Sequence, residues 1–447
     1  MGPRAARLSL SPPLARLATR IADRTARISV IGLGYVGLPL AVEFAKEGFP
    51  VTGVEVDEKR VAGVNRGRSY LRDIPSEQVA ALRAQRRLRA TTRLEVLRAQ
   101  DAVIICVPTP LRKTREPDMS YILSATEAIA RGVRRGQLIV LESTTYPGTT
   151  EEVVLPALQA GGLKVGRDFC LGFSPERIDP GNPTYTTRTI PKVIGGVTPL
   201  CTQLATALYG SVIHRTIPVS SSQVAEMVKL LENTFRAVNI GLVNEIALVC
   251  DRLGIDVWEV IEAAKTKPFG FMPFYPGPGI GGHCIPSDPM YLAWKVRVHG
   301  FEARFIELAT QMNGAMPTYV VDKVQQALNG RRQSLKGSRM LLLGLAYKPD
   351  VEDVRDSPAF DVARLLEARG AIVDYHDPYV PAAVLNGKRR ASIPLTAAAL
   401  RRSDCVVIVT NHTVVDYDAV LRYAPLIVDT RNQYGSLPRP SARVVKL

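Results

Sequence analysis

The chain has 447 residues, 46% of them hydrophobic, and a formal charge of +15. That length accommodates two or three domains with full cores, and no apolar run approaches the ~18 residues that span a bilayer, so a membrane protein is not expected. The basic balance admits nucleic acid, an anionic membrane surface or a phosphorylated substrate, but the arginines are spread over polar segments such as RAQRRLRATTRLEVLR, without an aromatic platform or a helix-turn-helix or zinc-finger spacing, so a solvated Arg-rich surface is expected rather than nucleic-acid binding.

Residues 1–26, MGPRAARLSLSPPLARLATRIADRTA, lack the continuous apolar core of a secretory signal, and a disordered tail or one short amphipathic helix is expected there. From residue 27, RISVIGLGYVGLPLAVEFAKEGFPVTGVEVD reads as a strand, a glycine turn, an amphipathic helix and a second strand ending in acid. Gly32, Gly34 and Gly37 fit GxGxxG, with Tyr35 and Val36 completing the turn. The first glycine serves the tight turn, the second a close approach to pyrophosphate, the third helix–strand packing. Glu55 stands where a carboxylate accepts from a ribose 2′-hydroxyl, which argues for NAD over NADP; Asp57 competes for that role, and Arg60 either reaches the cofactor phosphates or is solvated.

Strands at DAVIICVP and QLIVLEST run into polar loops that point Thr109 and Thr144 toward a cofactor crevice by position, with ordinary loop capping as an equal alternative. Glu176 and Arg177, within FSPERIDPG, close an apolar run, and KVIGG is a further strand. Ser220 to Leu253 reads as one long helix, with Ser220 to Ser222 as N-cap candidates and Gly254 as the stop. Lys229 and Asn233 share a face of it. Inside so apolar a helix they need partners, which a polar cleft would provide; otherwise the lysine snorkels beside a capping amide.

PGPGIGGHCIPSDPMYLAW, over 276–294, sets Cys284 on a glycine loop with Asp288 four residues later. A thiol becomes a nucleophile where donors or positive charge favour its thiolate, and a Gly-Gly-His approach allows that; a glycine-flanked cysteine can also be structural. Cys106, Cys170, Cys201, Cys250 and Cys405 lie in or beside apolar runs and read as small core hydrophobes. Six cysteines without CxxC pairs suit neither a disulfide framework nor a zinc site, and imply a reducing, cytoplasmic setting. Beyond residue 320 a second α/β pattern begins, in which GLAYKPD, with Lys348, replaces GxGxxG. That loop suits a phosphate or nucleotide ligand other than a tightly wound dinucleotide, unless Lys348 is a plain surface lysine.

GLGYVGLPLA, ICVPTP, LESTTYPGTT, FSPERIDPG, EMVKLLENTFRAVNI, PGPGIGGHCIPSDP and GLAYKPDVEDVRDSP together resemble the UDP-glucose/GDP-mannose dehydrogenase family over nearly the whole chain from residue 27. The resemblance implies an α/β fold of two Rossmann-like, doubly wound domains joined by a long central helix. It leaves 1–26 as a basic extension with no counterpart in the motifs, and implies an NAD-binding domain over 27–215, a central dimerisation domain carrying the cysteine loop over 216–320, and a UDP-binding domain over 321–447. It implies four-electron oxidation of a nucleotide sugar's C6 alcohol to a carboxylate by two NAD, with no metal, in a homodimer or higher oligomer.

Carried over by motif, Cys284 is the nucleophile, and Lys229 and Asn233 stabilise oxyanions. Asp288 works with Lys229 to orient water and assist proton transfer, Glu176 is the base for thioester hydrolysis, and Thr144 holds the water. Arg177, Gly281, Lys348 and Arg431 join Glu176, Lys229 and Asn233 as implied substrate contacts. With that set intact, a non-catalytic nucleotide-sugar binding protein is not expected. Family members acting on UDP-glucose carry a glutamate where Pro180 stands, an aromatic at Ile285 and a lysine at Ser287. The chain therefore looks most like the branch oxidising UDP-N-acetyl-hexosamines, with UDP-N-acetylglucosamine expected, UDP-N-acetylmannosamine the rival and UDP-glucose third. Glu55 in place of the usual aspartate keeps the acceptor with one methylene more reach.

Overall fold

A computed structural model describes residues 10–71, 73–112, 116–178, 184–435 and 443–447. The chain divides into two compact units, Met1–Glu232 and Asn233–Leu447.

The first unit is built on eight strands: β1 (Ile28–Ile31), β2 (Val51–Val54), β3 (Leu88–Thr91), β4 (Ala102–Ile105), β5 (Leu138–Leu141), β6 (Cys170–Phe173), β7 (Lys192–Gly196) and β8 (Thr216–Pro218). They lie in the order β3-β2-β1-β4-β5-β6-β7-β8, all neighbours parallel except the antiparallel β6–β7 pair. Strands β1, β2, β4, β5 and β6 are buried at every position. This is why ISVI, AVII and LIVL show no polar alternation: helices cover both faces of a parallel sheet. Val30, Ile104 and Val140 face one core, and Ile31, Ile105 and Leu141 face the other. Strand order reverses between β1 and β4, the switch point at whose carboxyl end ligands of such sheets bind.

Part of the N-terminal extension forms a helix, Pro12–Ala22, with two prolines in the first turn where no N–H is needed. It buries Leu14, Leu17 and Ile21 in the same core as β1, each worth about 1.5–3 kcal/mol. Residues 1–9 lie outside the described residues.

The second unit repeats the plan. Strands β9 (Arg339–Leu343), β10 (Ile372–His376), β13 (Cys405–Ile408), β14 (Ile427–Asp429) and β15 (Val444–Lys446) form a parallel sheet in the order β10-β9-β13-β14-β15. Strands β11 (Ala382–Leu385) and β12 (Lys388–Ala391) form a hairpin whose turn residues, Asn386 and Gly387, both take positive φ, as a tight hairpin turn requires. A 32-residue helix, Ser222–Leu253, contains the division between the units. Helices Cys284–Val298 and Arg304–Asn329 precede the second sheet.

Candidate active site

In the first unit the loop after β1 is shaped by its glycines. Gly32 sits at φ +88°, and a Cβ there would lie 2.5 Å from the Cys106 carbonyl oxygen. A Cβ on Gly37 would come within 1.8 Å of the Gly32 oxygen, so the helix Gly37–Lys46 can start this close to β1 only with glycine. Around Gly34 nothing lies within 4 Å of an added Cβ. That open backbone beside a helix N-terminus is the cradle a pyrophosphate needs, and the residues present fit NAD. Val36 precedes the helix, and Tyr35 is 42% exposed on the loop.

Glu55 is buried at the end of β2, where Oε2 accepts from the Leu33 N–H at 2.9 Å and Oε1 from the Asp57 N–H at 3.1 Å. Asp57 instead caps the helix Glu58–Asn65, accepting from the N–H groups of Lys59 and Arg60. Arg60 Nη1 stands 3.6 Å from Glu55 Oε2, and its guanidinium lies over the Tyr70 ring at 5.4 Å. Thr109 is buried and Thr144 half-buried, each in a loop beyond the carboxyl end of β4 or β5.

Beyond β6, Glu176 Oε1 accepts from the N–H groups of Arg177 and Ile178, both at 2.7 Å. Its Oε2 lies 3.1 Å from Lys192 Nζ, which is also 3.1 Å from Glu142 Oε2. Tyr209 donates its hydroxyl to Glu142 Oε1. Burial pushes both carboxyls up, but two N–H donors and the ammonium take Glu176 below the ordinary range, whereas burial wins at Glu142 and raises it. Burial works against the Lys192 charge, and the two carboxylates more than restore it. Arg177 is already engaged: Nη2 and Nε pair with Glu232, and Nη1 donates to the Pro191 carbonyl. It thus ties the Glu176 loop to the long helix. The TTYPGTT turn is tied down too, because buried Glu226 accepts from Gly148 N–H at 2.6 Å and from the Thr150 N–H and hydroxyl. Lys229 is buried on the same helix, and among the described residues no carboxylate of its unit is ion-paired with it.

In the second unit Cys284, exposed, is the first residue of the helix Cys284–Val298. The partial positive charge of a helix N-terminus favours a negative sulfur. Burial and Arg355 both lower the pKa of His283, so the imidazole is not the cation that serves the thiol. Asp288 follows one turn later on the same face, buried, and Asn233 Nδ2 donates to its Oδ2 at 2.5 Å. Gly282 takes φ +85° and donates its N–H to the Arg355 carbonyl at 2.9 Å; a Cβ there would strike the Tyr347 ring, and one on Gly281 would meet Tyr347 and Pro358. Lys348 lies over the Tyr347 ring at 5.9 Å. Arg431 donates from Nε to the Val409 carbonyl, and its Nη1 is 2.6 Å from where a Cβ on Gly277 would sit. The cysteine loop therefore lies against the loop after β9 and the arginine after β14, so Cys284, Asp288, Asn233, Gly281, Lys348 and Arg431 all belong to this assembly. Ile285 and Ser287 occupy the helix's first turn, while Pro180 lies outside the described residues.

Sequence reading passed over Glu142, Lys192, Tyr209 and Glu226. The available signal was an acid directly after the apolar run LIVL and a lysine opening the buried strand KVIGG, two charges that burial obliges to find partners. Among the described residues no cluster of three or more His, Cys, Asp or Glu could hold a metal ion, and no helix is long and apolar enough to cross a membrane.

Comparison with known proteins agrees with both halves of this geometry. Residues 26–213 match the NAD binding domain of the UDP-glucose/GDP-mannose dehydrogenase family, residues 223–315 its central domain and residues 341–436 its UDP binding domain. A UDP-N-acetyl-D-glucosamine 6-dehydrogenase of Pseudomonas aeruginosa is 39% identical over 358 residues, 80% of this chain and 83% of that protein. A UDP-N-acetyl-D-mannosamine dehydrogenase of Yersinia pestis is 37% identical over 404 residues, 86% of this chain and 93% of the relative. The solved UDP-D-ManNAc dehydrogenase of Pyrococcus horikoshii superposes with TM-score 0.85 at 33% identity, covering 94% of this chain and 98% of that one. The chain belongs to the UDP-glucose/GDP-mannose dehydrogenase family and is an NAD-dependent nucleotide-sugar dehydrogenase.

Proposed function

We propose that the protein oxidises the C6 hydroxyl of a UDP-N-acetyl-hexosamine, with UDP-N-acetylglucosamine its substrate, to the uronic acid in two two-electron stages on one thiol. The observation that carries the reading is Cys284, exposed at a helix N-terminus one turn before the Asn233-bound Asp288, in a loop packed on Tyr347 of the UDP-binding domain.

NAD, when bound on the Gly32–Gly37 loop with its ribose at Glu55, supplies the oxidising equivalents. Cys284 Sγ bonds to the aldehyde carbon formed in the first stage and holds it as a thiohemiacetal, so the reactive aldehyde does not escape. Lys229 and Asn233 donate to the oxygen on C6 as it gains negative charge. The second stage leaves a thioester on Cys284. Glu176 takes a proton from the water that cleaves it, with Thr144 holding that water and Asp288 assisting proton transfer. Lys348 and Arg431 hold the UDP moiety, whose phosphates suit a lysine and an arginine. The domain limits given above, 27–215, 216–320 and 321–447, divide these roles.

The gluco preference is supported by relatives that bear that name, at 39% and 36% identity. Relatives named for the manno epimer stand at 37% and 35%, so UDP-N-acetylmannosamine is the second reading. A homodimer is proposed from the apolar stripe that Phe235, Leu242, Ile246, Val249 and Leu253 leave exposed on the long helix. A cytoplasmic location is proposed from six free cysteines.

Incubation with NAD and a panel of UDP sugars, counting NADH per sugar consumed, tests the reading. Two NADH per UDP-N-acetylglucosamine is expected; one NADH, or no turnover of any acetamido sugar, sinks it. Cys284→Ser is expected to lose acid formation by at least about 10³-fold while keeping NAD affinity. Unchanged acid yield removes Cys284 from the role.

A further inference from the structure

Three buried groups of the first unit and the half-buried Glu176 form a charged network that no step above uses in full. Lys192, the first residue of β7, has 5% side-chain exposure, Glu142 none and Glu176 12%. Lys192 Nζ bridges the two carboxylates at 3.1 Å each and lies 5.3 Å from the Tyr209 ring centroid, while the Tyr209 hydroxyl donates to Glu142.

Two carboxylates and one ammonium leave a net negative charge in an interior that tolerates none cheaply. A proton relieves it, and the sites compete unequally. Glu142 has no access to water and, among the described residues, no backbone N–H donor, whereas Glu176 takes two backbone N–H groups on Oε1 and keeps partial access to solvent. Of the two, Glu142 is therefore the readier to take the proton and Glu176 the readier to stay ionised. Cys106, a further titratable group near Glu142, is held as a thiol by burial. Arg177, next to Glu176, is paired with Glu232 and leaves Lys192 as the cation on the Glu176 carboxylate.

We propose that Lys192 is a positioning residue for the hydrolytic half of the reaction, holding the Glu176 carboxylate ionised and fixed in direction, with Glu142 and Tyr209 keeping Lys192 in place. The inference rests on the reading of Glu176 as the base. In the step it serves, the water oxygen bonds to the C6 carbonyl carbon and a water proton passes to Glu176. The C–S bond then breaks with its electron pair going to Cys284, and the product acid ionises. No oxidant is consumed. A Glu176 that is protonated, or free to rotate toward Arg177, cannot take that proton.

The test is the pH profile of acid release, read with the intact mass of the enzyme after a single turnover. In Lys192→Met the acid limb is expected to rise by about 1–2 pH units, and uronyl thioester to accumulate on Cys284, while the rate of the first NADH and the substrate KM stay unchanged. Lys192→Arg, which keeps the cation, is expected to restore the limb to within a few tenths of a unit. Should Lys192→Met fail to fold, the double variant Lys192→Met/Glu142→Leu removes the buried pair together, a change interiors often accept, and the same upward shift is expected. A folded variant without Lys192 whose acid limb and acyl-enzyme lifetime match wild type overturns the inference. Glu176→Gln separates the two claims: if it accumulates thioester while the Lys192 variants do not, only Lys192 loses its role. If Glu176→Gln hydrolyses thioester at the wild-type rate, the base assignment itself falls.

Discussion

The two halves of the chain open in the same way and then diverge. In each, the first strand ends at a glycine of positive φ pressed against a neighbouring strand's exit: Gly32 at φ +88°, 2.5 Å from the Cys106 oxygen, and Gly344 at φ +85°, 2.4 Å from the Thr410 oxygen, measured from an added Cβ. In each, an acid at the end of the next strand accepts from the loop's N–H groups, Glu55 from Leu33 and Asp377 from Leu345 and Ala346. The difference lies in what is left over. Glu55 has one loop donor per oxygen and an exposed arginine beside it, whereas Asp377 is filled by five donors: Leu345, Ala346, Tyr379, Val380 and His412. One frame thus yields a carboxylate with room for the ribose contact proposed above, and a second whose carboxylate is spent on its own loop, where recognition is proposed for Lys348 and Arg431 instead. A shared backbone plan does not predict a shared ligand contact.

The turn glycines are where the halves are expected to behave alike, and with the largest effect. Gly32→Ala and Gly344→Ala each force a Cβ onto a backbone oxygen at positive φ, so each is expected to cost about 3 kcal/mol or more in urea unfolding. A difference of several kcal/mol between them would break the parallel.

The acids are where the halves separate. Asp377→Asn leaves buried N–H groups facing an amide N–H₂, with an expected loss of about 3 kcal/mol at pH 7 and no change in NAD affinity. Burial pushes the Asp377 carboxyl up, but His412 and the backbone donors bring it below the ordinary range. A depressed carboxyl stabilises fully above its unfolded value, about 3.9, and loses that contribution as pH falls through the lower folded value. The gap between wild type and Asp377→Asn is therefore expected to narrow as urea unfolding is repeated below pH 4. A gap that holds or widens toward acid would show that Asp377 is not the ionised hub of this loop.

Much of this frame is legible in the sequence because it depends on local pattern: β-branched runs for buried parallel strands, GxGxxG for the turn, and a serine-led apolar stretch for the long helix. Spacing in VTGVEVD pointed to Glu55 with Asp57 as its competitor, and only the fold shows Asp57 taken up as a helix cap. Asp377, in IVDYHD, occupies the matching place and passed unnoticed, because no glycine fingerprint draws attention to it. Cys284 was visible from its glycines, but the helix that begins at it was not, since Pro286 and Pro289 argue against a helix in CIPSDP. Lys192, Glu142 and Tyr209 stand 50 and 67 residues apart from one another along the chain, counted from Glu142, and only the sheet order brings them together. The N-terminal extension was legible only as a disordered tail or one short amphipathic helix, and the helix with its burial of Leu14, Leu17 and Ile21 in the first core required the fold.

Smaller effects sharpen the contrast at the cofactor. An added Cβ at Gly34 meets nothing in the protein, so Gly34→Ala is expected to leave urea stability within about 1 kcal/mol while raising the NAD KM about tenfold, which is about 1.4 kcal/mol of binding. Loss of stability without loss of affinity would mean that Gly34 serves the turn, as Gly32 does, and not the pyrophosphate. Glu55→Gln is the finest probe, because the amide oxygen can still accept from the Leu33 N–H while the negative charge on the ribose and beside Arg60 is lost. The fold is expected to hold, the NAD KM to rise about fivefold, or about 1 kcal/mol, and discrimination against NADP to weaken, since the carboxylate that repels a 2′-phosphate is gone. Equal NAD and NADP kinetics before and after the change would place cofactor choice elsewhere and reduce Glu55 to what Asp377 is: a carboxylate spent on its own loop.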